Sequence, residues 1–88
     1  MSETQLLACP CCGYKTISES FDICDICRWE HDPVMEESPD EEGGANGICL
    51  REAQRNFAWF GACTEESTKY VRRPTAEDER DPNWKPIV

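Results

Sequence analysis

The amino-acid sequence predicts a small, loop-rich α+β domain, and three observations support that prediction. The chain has 88 residues, which is the length of one domain. Cysteines separated by two residues occur twice near its start, at Cys9 and Cys12 and at Cys24 and Cys27. Further on, one stretch repeats its apolar residues with the period of an α-helix. We therefore expect a β-hairpin with two CxxC knuckles plus one packed α-helix, in a single metal-stabilised domain over residues 1–88.

The hairpin is expected from two short runs of strand-forming residues. Tyr-Lys-Thr-Ile occupies residues 14–17 and Phe-Asp-Ile occupies residues 21–23, with a polar Ser-Glu-Ser turn between them. β-branched and aromatic residues bounded by a polar turn are typical of paired strands. We predict that these two runs pair and bring the second knuckle back to the first.

The helix is predicted over residues 50–60. Its apolar positions fall on one face, at Leu50, Ala53, Phe57 and Phe60. Cys49 stands at the cap position, where a thiol is a weaker acceptor than a hydroxyl, and Gly61 provides a stop signal. We expect the helix to pack on the hairpin through Leu50, Phe57 and Phe60.

Two segments are predicted to lack regular structure. Residues 34–47 combine an uncompensated acidic run with three glycines, which predicts a mobile acidic loop. Residues 74–88 contain three prolines, which predicts a loosely structured C-terminal tail.

The paired cysteines are the strongest functional signal in the chain. Two intervening residues let one tight turn bring both thiolates to a single ion. In the first knuckle, Pro10 presets φ, and Gly13 allows the positive φ that ends the turn. Four thiolates select zinc or iron. The predicted metal ligands are Cys9, Cys12, Cys24 and Cys27, and the predicted cofactor is Zn²⁺.

The remaining cysteines and the single histidine are weaker candidates. Cys11 cannot easily share an ion with adjacent Cys12, so we expect it to face away as a free thiol. His31 is expected at the surface, with a competing ligand role as the alternative. Cys49 and Cys63 flank the helix at a spacing unlike a knuckle, so packing or capping is expected, again with metal ligation left open.

Composition excludes several classes of protein. No run of about 18 apolar residues is present, and the first seven residues lack a signal-peptide pattern, so we expect a cytoplasmic protein and no membrane partner. In a reducing compartment, seven cysteines favour metal ligation over disulfides. The net charge of −9 disfavours duplex binding and favours a basic protein partner. No catalytic motif is evident, so we expect no enzyme activity.

Trp59 is the candidate for the binding surface. It lies opposite Leu50 on the helical wheel, on the polar face, and tryptophan is enriched at interface hot spots. The predicted partner-binding residues are Trp59, Arg55, Glu52, Glu41 and Glu42. The alternative is that the tail folds back and covers Trp59 with Tyr70 or Trp84.

Several separate runs also resemble one protein family, the small bacterial cysteine-rich CPCC family. The runs are Cys9-Pro10-Cys11-Cys12-Gly13-Tyr14-Lys15-Thr16-Ile17, Asp22-Ile23-Cys24-Asp25-Ile26-Cys27, Trp29-Glu30, Gly44-Ala45-Asn46-Gly47, Leu50-Arg51-Glu52-Ala53-Gln54, Asn56-Phe57, Phe60-Gly61-Ala62 and Val71-Arg72-Arg73-Pro74. The resemblance covers roughly residues 8–74 and implies a zinc-ribbon-like bacterial domain. It implies no activity, although members occur among immunity-type proteins of toxin systems. The chain departs from the family's usual Asp at His31, from its usual Ser at Cys49 and from a polar residue at Trp59.

Three functions remain open on the sequence. The first is a non-enzymatic, zinc-stabilised acidic module that binds a basic protein, in its concrete version an immunity protein against a basic nuclease toxin. The second is a redox or thiol-sensing protein, with iron at the four cysteines or with Cys11 as the sensor. The third is a single-stranded nucleic-acid binder that stacks bases on Trp29 and Trp59, which the net charge disfavours.

Overall fold

The computed structural model describes residues 6–87, so residues 1–5 and 88 lie outside the description that follows. It contains two strands and two α-helices: β1 (Leu7–Ala8), β2 (Lys15–Ile17), α1 (Pro33–Glu37) and α2 (Leu50–Phe60). A 3₁₀ turn at Glu66–Lys69 follows the main helix. The predicted fold class, a small α+β domain with one hairpin, one main helix and a zinc-ribbon-like cysteine cluster, is confirmed.

The hairpin forms around the first knuckle. Strand β1 pairs antiparallel with β2, with Leu7 opposite Ile17 and Ala8 opposite Lys15, and an irregularity between the two pairs. The predicted pairing of residues 14–17 with residues 21–23 is therefore wrong. Chain reversal at a CxxC turn is so tight that the residues on either side of it become strand partners.

Residues 21–23 fold differently for a local reason. Asp22 accepts hydrogen bonds from the backbone N–H and the hydroxyl of Ser18, at 2.8 and 2.9 Å, which closes a side-chain turn. Phe21 takes a positive φ of 66° within that turn, which removes it from an extended strand. Ile23 instead forms an isolated antiparallel bridge with Glu30, across the second knuckle.

The two knuckles share one backbone pattern, offset by fifteen positions in the chain. In the first, the Cys9 N–H donates to the Tyr14 carbonyl at 2.8 Å, and the Gly13 N–H donates to the Cys9 carbonyl at 2.7 Å. The corresponding bonds in the second run from Cys24 to Trp29, at 2.9 Å, and from Arg28 to Cys24, at 2.8 Å. The chain therefore builds the same turn twice.

Each turn ends on a residue in the left-handed region. Gly13 has a φ of 82°, as predicted, and Arg28 holds the matching position of the second knuckle at a φ of 74°. A side chain there costs about 1–2 kcal/mol relative to right-handed backbone. The second knuckle keeps its shape despite that cost, which shows how strongly the surrounding contacts determine it.

Helix α2 has the predicted bounds and caps. Cys49 is the N-cap and its side chain makes no capping hydrogen bond, as expected for a thiol. Gly61 takes a φ of 80° and its N–H donates to the Phe57 carbonyl at 2.9 Å. These two signals bound the helix because the first is extended and the second is left-handed.

The helix packs directly on the first knuckle. Leu50 and Ala53 are buried, and Phe57 packs against the core at its edge. The Cys11 thiol donates to the Ala53 carbonyl at 3.4 Å, and the Gln54 amide donates to the Pro10 carbonyl at 2.8 Å. Predicted packing through Leu50 and Phe57 is thus observed, whereas half-buried Phe60 lies beside the Trp59 ring.

The acidic segment begins with a short helix that the sequence analysis did not predict. Asp32 caps α1 by accepting the Val34 N–H at 3.0 Å, with Pro33 at the first helical position. Met35 then enters the core, with 1% of its surface exposed. Asp32 also accepts the Ala45 N–H at 3.2 Å, which closes the acidic segment into a loop. Its mobility stays a prediction.

The tail carries no helix or strand within the described residues 74–87, yet its backbone docks on the domain. The Lys15 N–H donates to the Glu79 carbonyl at 2.8 Å, and Arg80 forms an antiparallel bridge with Tyr14. The sequence predicted a loosely structured tail because its prolines exclude regular elements. Docking depends on partners some 65 positions away, which no local pattern reveals.

We expect Leu50→Ala to destabilise the domain even when metal is present. Leu50 is 4% exposed in the core, and Leu→Ala at such sites costs about 2–5 kcal/mol. The measurement is the denaturation midpoint at saturating zinc. Arg55→Ala, on the exposed face of the same helix, is the control and should change the midpoint little. Equal midpoints for the two variants would contradict the packing described here.

Candidate metal centre

The four cysteines of the two knuckles converge at one point. The Sγ atoms of Cys9, Cys12, Cys24 and Cys27 all lie within 4.8 Å of one another. All four residues have 0% of their surface exposed. Each knuckle contributes two sulfurs, and the sulfurs pair across the knuckles: Cys9 with Cys27 at 3.5 Å and Cys12 with Cys24 at 3.7 Å.

These distances fit a tetrahedral ion. Zn–S bonds of about 2.3 Å in a tetrahedron place neighbouring sulfurs about 3.8 Å apart. A disulfide would require about 2.05 Å, and the four thiols are free. Their complete burial also leaves these four thiols without solvent as a partner. The cluster could therefore hold a metal ion.

The protonation of the cluster is unequal. Burial raises the pKa of the Cys9 thiol, and contact with Cys11 and then with the cluster thiols raises that of Cys27. The hydrogen bond with Cys12, followed by those with Cys27 and Cys9, lowers the pKa of Cys24. A thiolate is thus favoured at Cys24 over Cys9 and Cys27. Binding of a divalent ion would release the remaining protons, so metal affinity falls with acidity.

Thr16 adds a contact that the sequence analysis missed. Its hydroxyl lies 3.0 Å from the Cys24 sulfur and donates to it. A donor at this distance stabilises the thiolate and orients it, as outer partners of metal ligands do. The sequence could not predict this contact, because it forms only when β2 places Thr16 beside the second knuckle. That placement depends on the observed pairing of β1 with β2.

The other cysteines lie outside the cluster of four. Cys11 is buried at 0% exposure and its thiol donates to the Ala53 carbonyl, so it faces helix α2 rather than solvent. Cys63 is buried, and burial, followed by the nearby Cys11, raises its pKa to about 11. Cys49 is half-buried at the N-cap of α2. The described residues contain no second group of metal-binding side chains.

His31 faces an acid instead of the cluster. Its Nδ1 atom lies 2.7 Å from Oε2 of Glu36, with 13% and 23% of the two side chains exposed. Burial, and then the Asp32 carboxylate, raise the pKa of Glu36 to about 7. Glu36 belongs to the run predicted as a mobile acidic loop, but it lies on α1, which turns it inward.

The predicted partner-binding residues are all exposed. They are spread along α2 and over the acidic loop that precedes it. Trp59, in the last turn, is 83% exposed, and Glu52 and Arg55 are exposed along the helix. Glu41 and Glu42 are exposed in the acidic loop. That loop is held at the first turn, where Arg51 contacts Asp40 at 2.6 Å. A helical rise of 1.5 Å per residue separates this contact from Trp59 by about 12 Å.

Two expectations for individual aromatic side chains are wrong, namely the covering of Trp59 by the tail and the stacking of bases on Trp29. The tail does not cover Trp59, since Trp84 packs on Gly13 and Tyr70 is itself 69% exposed. Trp29 has 0% of its surface exposed, so it offers no face on which a base could stack. The Trp29 side chain packs in the core. Its carbonyl accepts the Cys24 N–H of the second knuckle.

Among the described residues, no helix has the length and apolar character needed to cross a lipid bilayer.

Comparison with models of protein families identifies the family of this chain. The model of a protein family described as cysteine-rich CPCC matches residues 7–78, which include both knuckles and helix α2. No curated protein sequence matches the chain significantly.

We expect Glu36→Gln to stabilise the domain above neutral pH. The folded-state pKa of Glu36, about 7, lies above its ordinary value of 4.5. Folding therefore binds a proton in that window, and the wild-type chain loses stability as the pH rises from about 4.5 to 7. The amide removes this loss, with His31 and Asp32 as the groups that face it.

The measurement is the difference in melting temperature between variant and wild type from pH 5 to pH 8, in which the pH dependence of the thiols cancels. Glu37→Gln, exposed on the same helix, is the control. A difference that does not grow with pH would contradict the assignment.

Proposed function

This chain belongs to the cysteine-rich CPCC family, and we propose that it is a non-enzymatic, zinc-stabilised module that binds a basic protein through an acidic surface. The observation that carries the metal part is the convergence of four fully buried sulfurs at tetrahedral spacing. Zinc is the ion of choice because four closed thiolates suit it and because it needs no further ligand.

A closed set of four thiolates also supports a structural role. Catalytic zinc keeps one position open for water, and a bound ion here would have its positions filled by Cys9, Cys12, Cys24 and Cys27. The ion would instead join the two knuckles, since each supplies two sulfurs. In a domain with a core this small, such a link contributes folding free energy directly.

The choice of partner rests on charge and on one exposed ring. The chain has a formal charge of −9, and its acidic loop lies fully at the surface around Glu41 and Glu42. Such a field speeds encounter with a basic protein. Trp59, at 83% exposure, supplies the large aromatic contact typical of an interface hot spot.

We extend the proposal to one biological setting and one compartment. An immunity protein that blocks a basic nuclease toxin would need this combination of negative charge and a rigid small scaffold. Retention of seven free thiols requires a reducing environment, for which the cytoplasm is our proposal.

The metal assignment predicts one zinc ion per chain. Cys24→Ser should abolish stoichiometric zinc and broaden the unfolding transition, because structural zinc contributes apparent binding energies of about 10–16 kcal/mol in finger peptides. Metal analysis of the purified chain and thermal melting with and without a chelator are the measurements.

Cys11→Ser is the matched control, since Cys11 is equally buried but lies outside the group of four. It should keep about one zinc per chain. An empty site in this variant would show that the ligand set is wrong. A red chain containing iron would replace the zinc proposal with the redox one.

The binding surface predicts that Trp59→Ala weakens binding by about 2 kcal/mol or more, roughly thirtyfold, without a lower melting temperature. The partner is first isolated from the native cell with the purified chain, and binding is then measured with the pure partner. Trp59→Phe is the control and should keep most of the affinity.

The acidic loop predicts a separate effect on rate. Glu41→Lys together with Glu42→Lys should slow association and flatten its dependence on salt, because exposed charges steer encounter and are screened beyond about 8–10 Å. If Trp59→Ala destabilises the free domain and leaves the dissociation rate unchanged, this face is not the binding surface.

A further inference from the structure

After helix α2 the chain returns over the outer faces of both knuckles. It first reaches the second knuckle, where the Cys63 N–H donates to the Cys27 carbonyl at 2.9 Å. The Arg72 guanidinium then contacts the carboxylates of Asp25, at 2.6 Å, and Asp78, at 2.8 Å. These contacts direct the chain onward to the first knuckle.

Residues 79–87, here called the strap, cover the first knuckle. Three backbone carbonyls of the first knuckle each accept one hydrogen bond from the strap. Pro10 accepts from the Trp84 indole at 2.8 Å, Cys12 from the Arg80 guanidinium at 3.0 Å, and Gly13 from the Asp81 N–H at 2.9 Å. The Glu79 carbonyl accepts the Lys15 N–H just beyond the turn. The strap therefore follows the backbone of the turn that holds Cys9 and Cys12.

Side chains close the strap over the knuckle. The Arg80 guanidinium lies between two aromatic rings, 5.1 Å from the Tyr14 centroid and 4.8 Å from the Trp84 centroid. Such cation–π contacts are favourable for arginine. The Trp84 ring lies so close to Gly13 that a Cβ there would meet it at 2.6 Å. Nothing larger than glycine fits beneath this ring.

The end of the strap is tied to the helix that supports the knuckle from the other side. The Ile87 N–H donates to the Gln54 side-chain oxygen at 2.7 Å, while the Gln54 amide nitrogen donates to the Pro10 carbonyl. Pro10 thus accepts from both the helix and the strap. The first knuckle is held between these two segments.

We propose that the strap is a lock that slows the release of metal from the four-cysteine site. This inference rests on the zinc proposed above. A metal leaves four thiolates when an incoming ligand reaches the ion and displaces sulfurs one by one. Because all four cysteines have 0% exposure, that approach requires a knuckle to open. Opening the first knuckle would break its bonds to the strap, so the strap slows release by that route. The strap also lies beyond residues 7–78, which match the family model.

The test is the rate of zinc transfer from the full-length chain to an excess of a chromogenic chelator. Arg80→Ala combined with Trp84→Ala removes two of the three carbonyl bonds and both cation–π contacts. We expect transfer about tenfold faster or more, with the stoichiometry still near one zinc per chain. Lys85→Ala, exposed within the same segment, is the control and should keep the wild-type rate. Trp84→Phe keeps a ring over Gly13 and should give an intermediate rate, which covers the case of a misfolded double variant. A wild-type rate in the strap variants would overturn the proposal.

Amide hydrogen exchange provides a readout that does not depend on the metal. In the chain as purified, the amides of residues 9–15 should exchange about tenfold faster in the double variant than in wild type. If the purified wild type contains no zinc, the proposed function fails, and faster exchange in the variant would still support a strap that holds the knuckle. If zinc is present and both transfer and exchange are unchanged, the lock fails and the zinc proposal stands.

Discussion

Four buried thiols within 4.8 Å of one another are the constraint on which the rest of this structure depends. These sulfur atoms are buried from solvent, and within the described part of the chain they contact each other, Thr16 and the nearby Cys11. The raised pKa values of Cys9 and Cys27 oppose ionisation of their thiols, whereas the lowered pKa of Cys24 favours it. A bound metal ion would balance the charge of the thiolates and would join the two knuckles, each of which supplies two sulfurs. The buried core is built around these sulfurs, with Ile17, Trp29 and Leu50 packed alongside.

The parts that the sequence predicted correctly share one property, which is that local chemistry determines them. A CxxC spacing followed by Gly13 specifies a turn, and an apolar period ended by Gly61 specifies α2, within fewer than a dozen residues each. Convergence of the two knuckles could also be anticipated, because each pair of thiols needs a second pair to complete a tetrahedral site.

The features of the fold that the sequence did not predict depend on partners distant in the chain or on turns closed by side-chain hydrogen bonds. Residues 21–23 have strand-forming side chains, but the Asp22 carboxylate closes a turn with Ser18 that no propensity predicts. The tail has no periodicity, yet it docks because three knuckle carbonyls need donors and Arg80, Asp81 and Trp84 supply them. Acidic composition suggested a solvated loop, whereas one buried residue, Met35, and one cap, Asp32, order its beginning.

The distribution of charge follows from the same centre. Four thiolates and one divalent ion would carry about two net negative charges in a buried site, which needs nearby positive charge. Arg80 lies over the first knuckle and bonds to the carbonyl of a ligand cysteine, and the strap holds it there between two rings. Cationic side chains therefore lie close to the cluster, with Arg80 at the first knuckle and Arg72 at the second. On the acidic loop at the start of α2, Asp40 is paired with Arg51, whereas Glu41 and Glu42 are exposed, and these two are the acids that we propose face a partner. Covering the first knuckle thus accounts for the docked tail, whereas Glu41 and Glu42 stay exposed on the acidic loop.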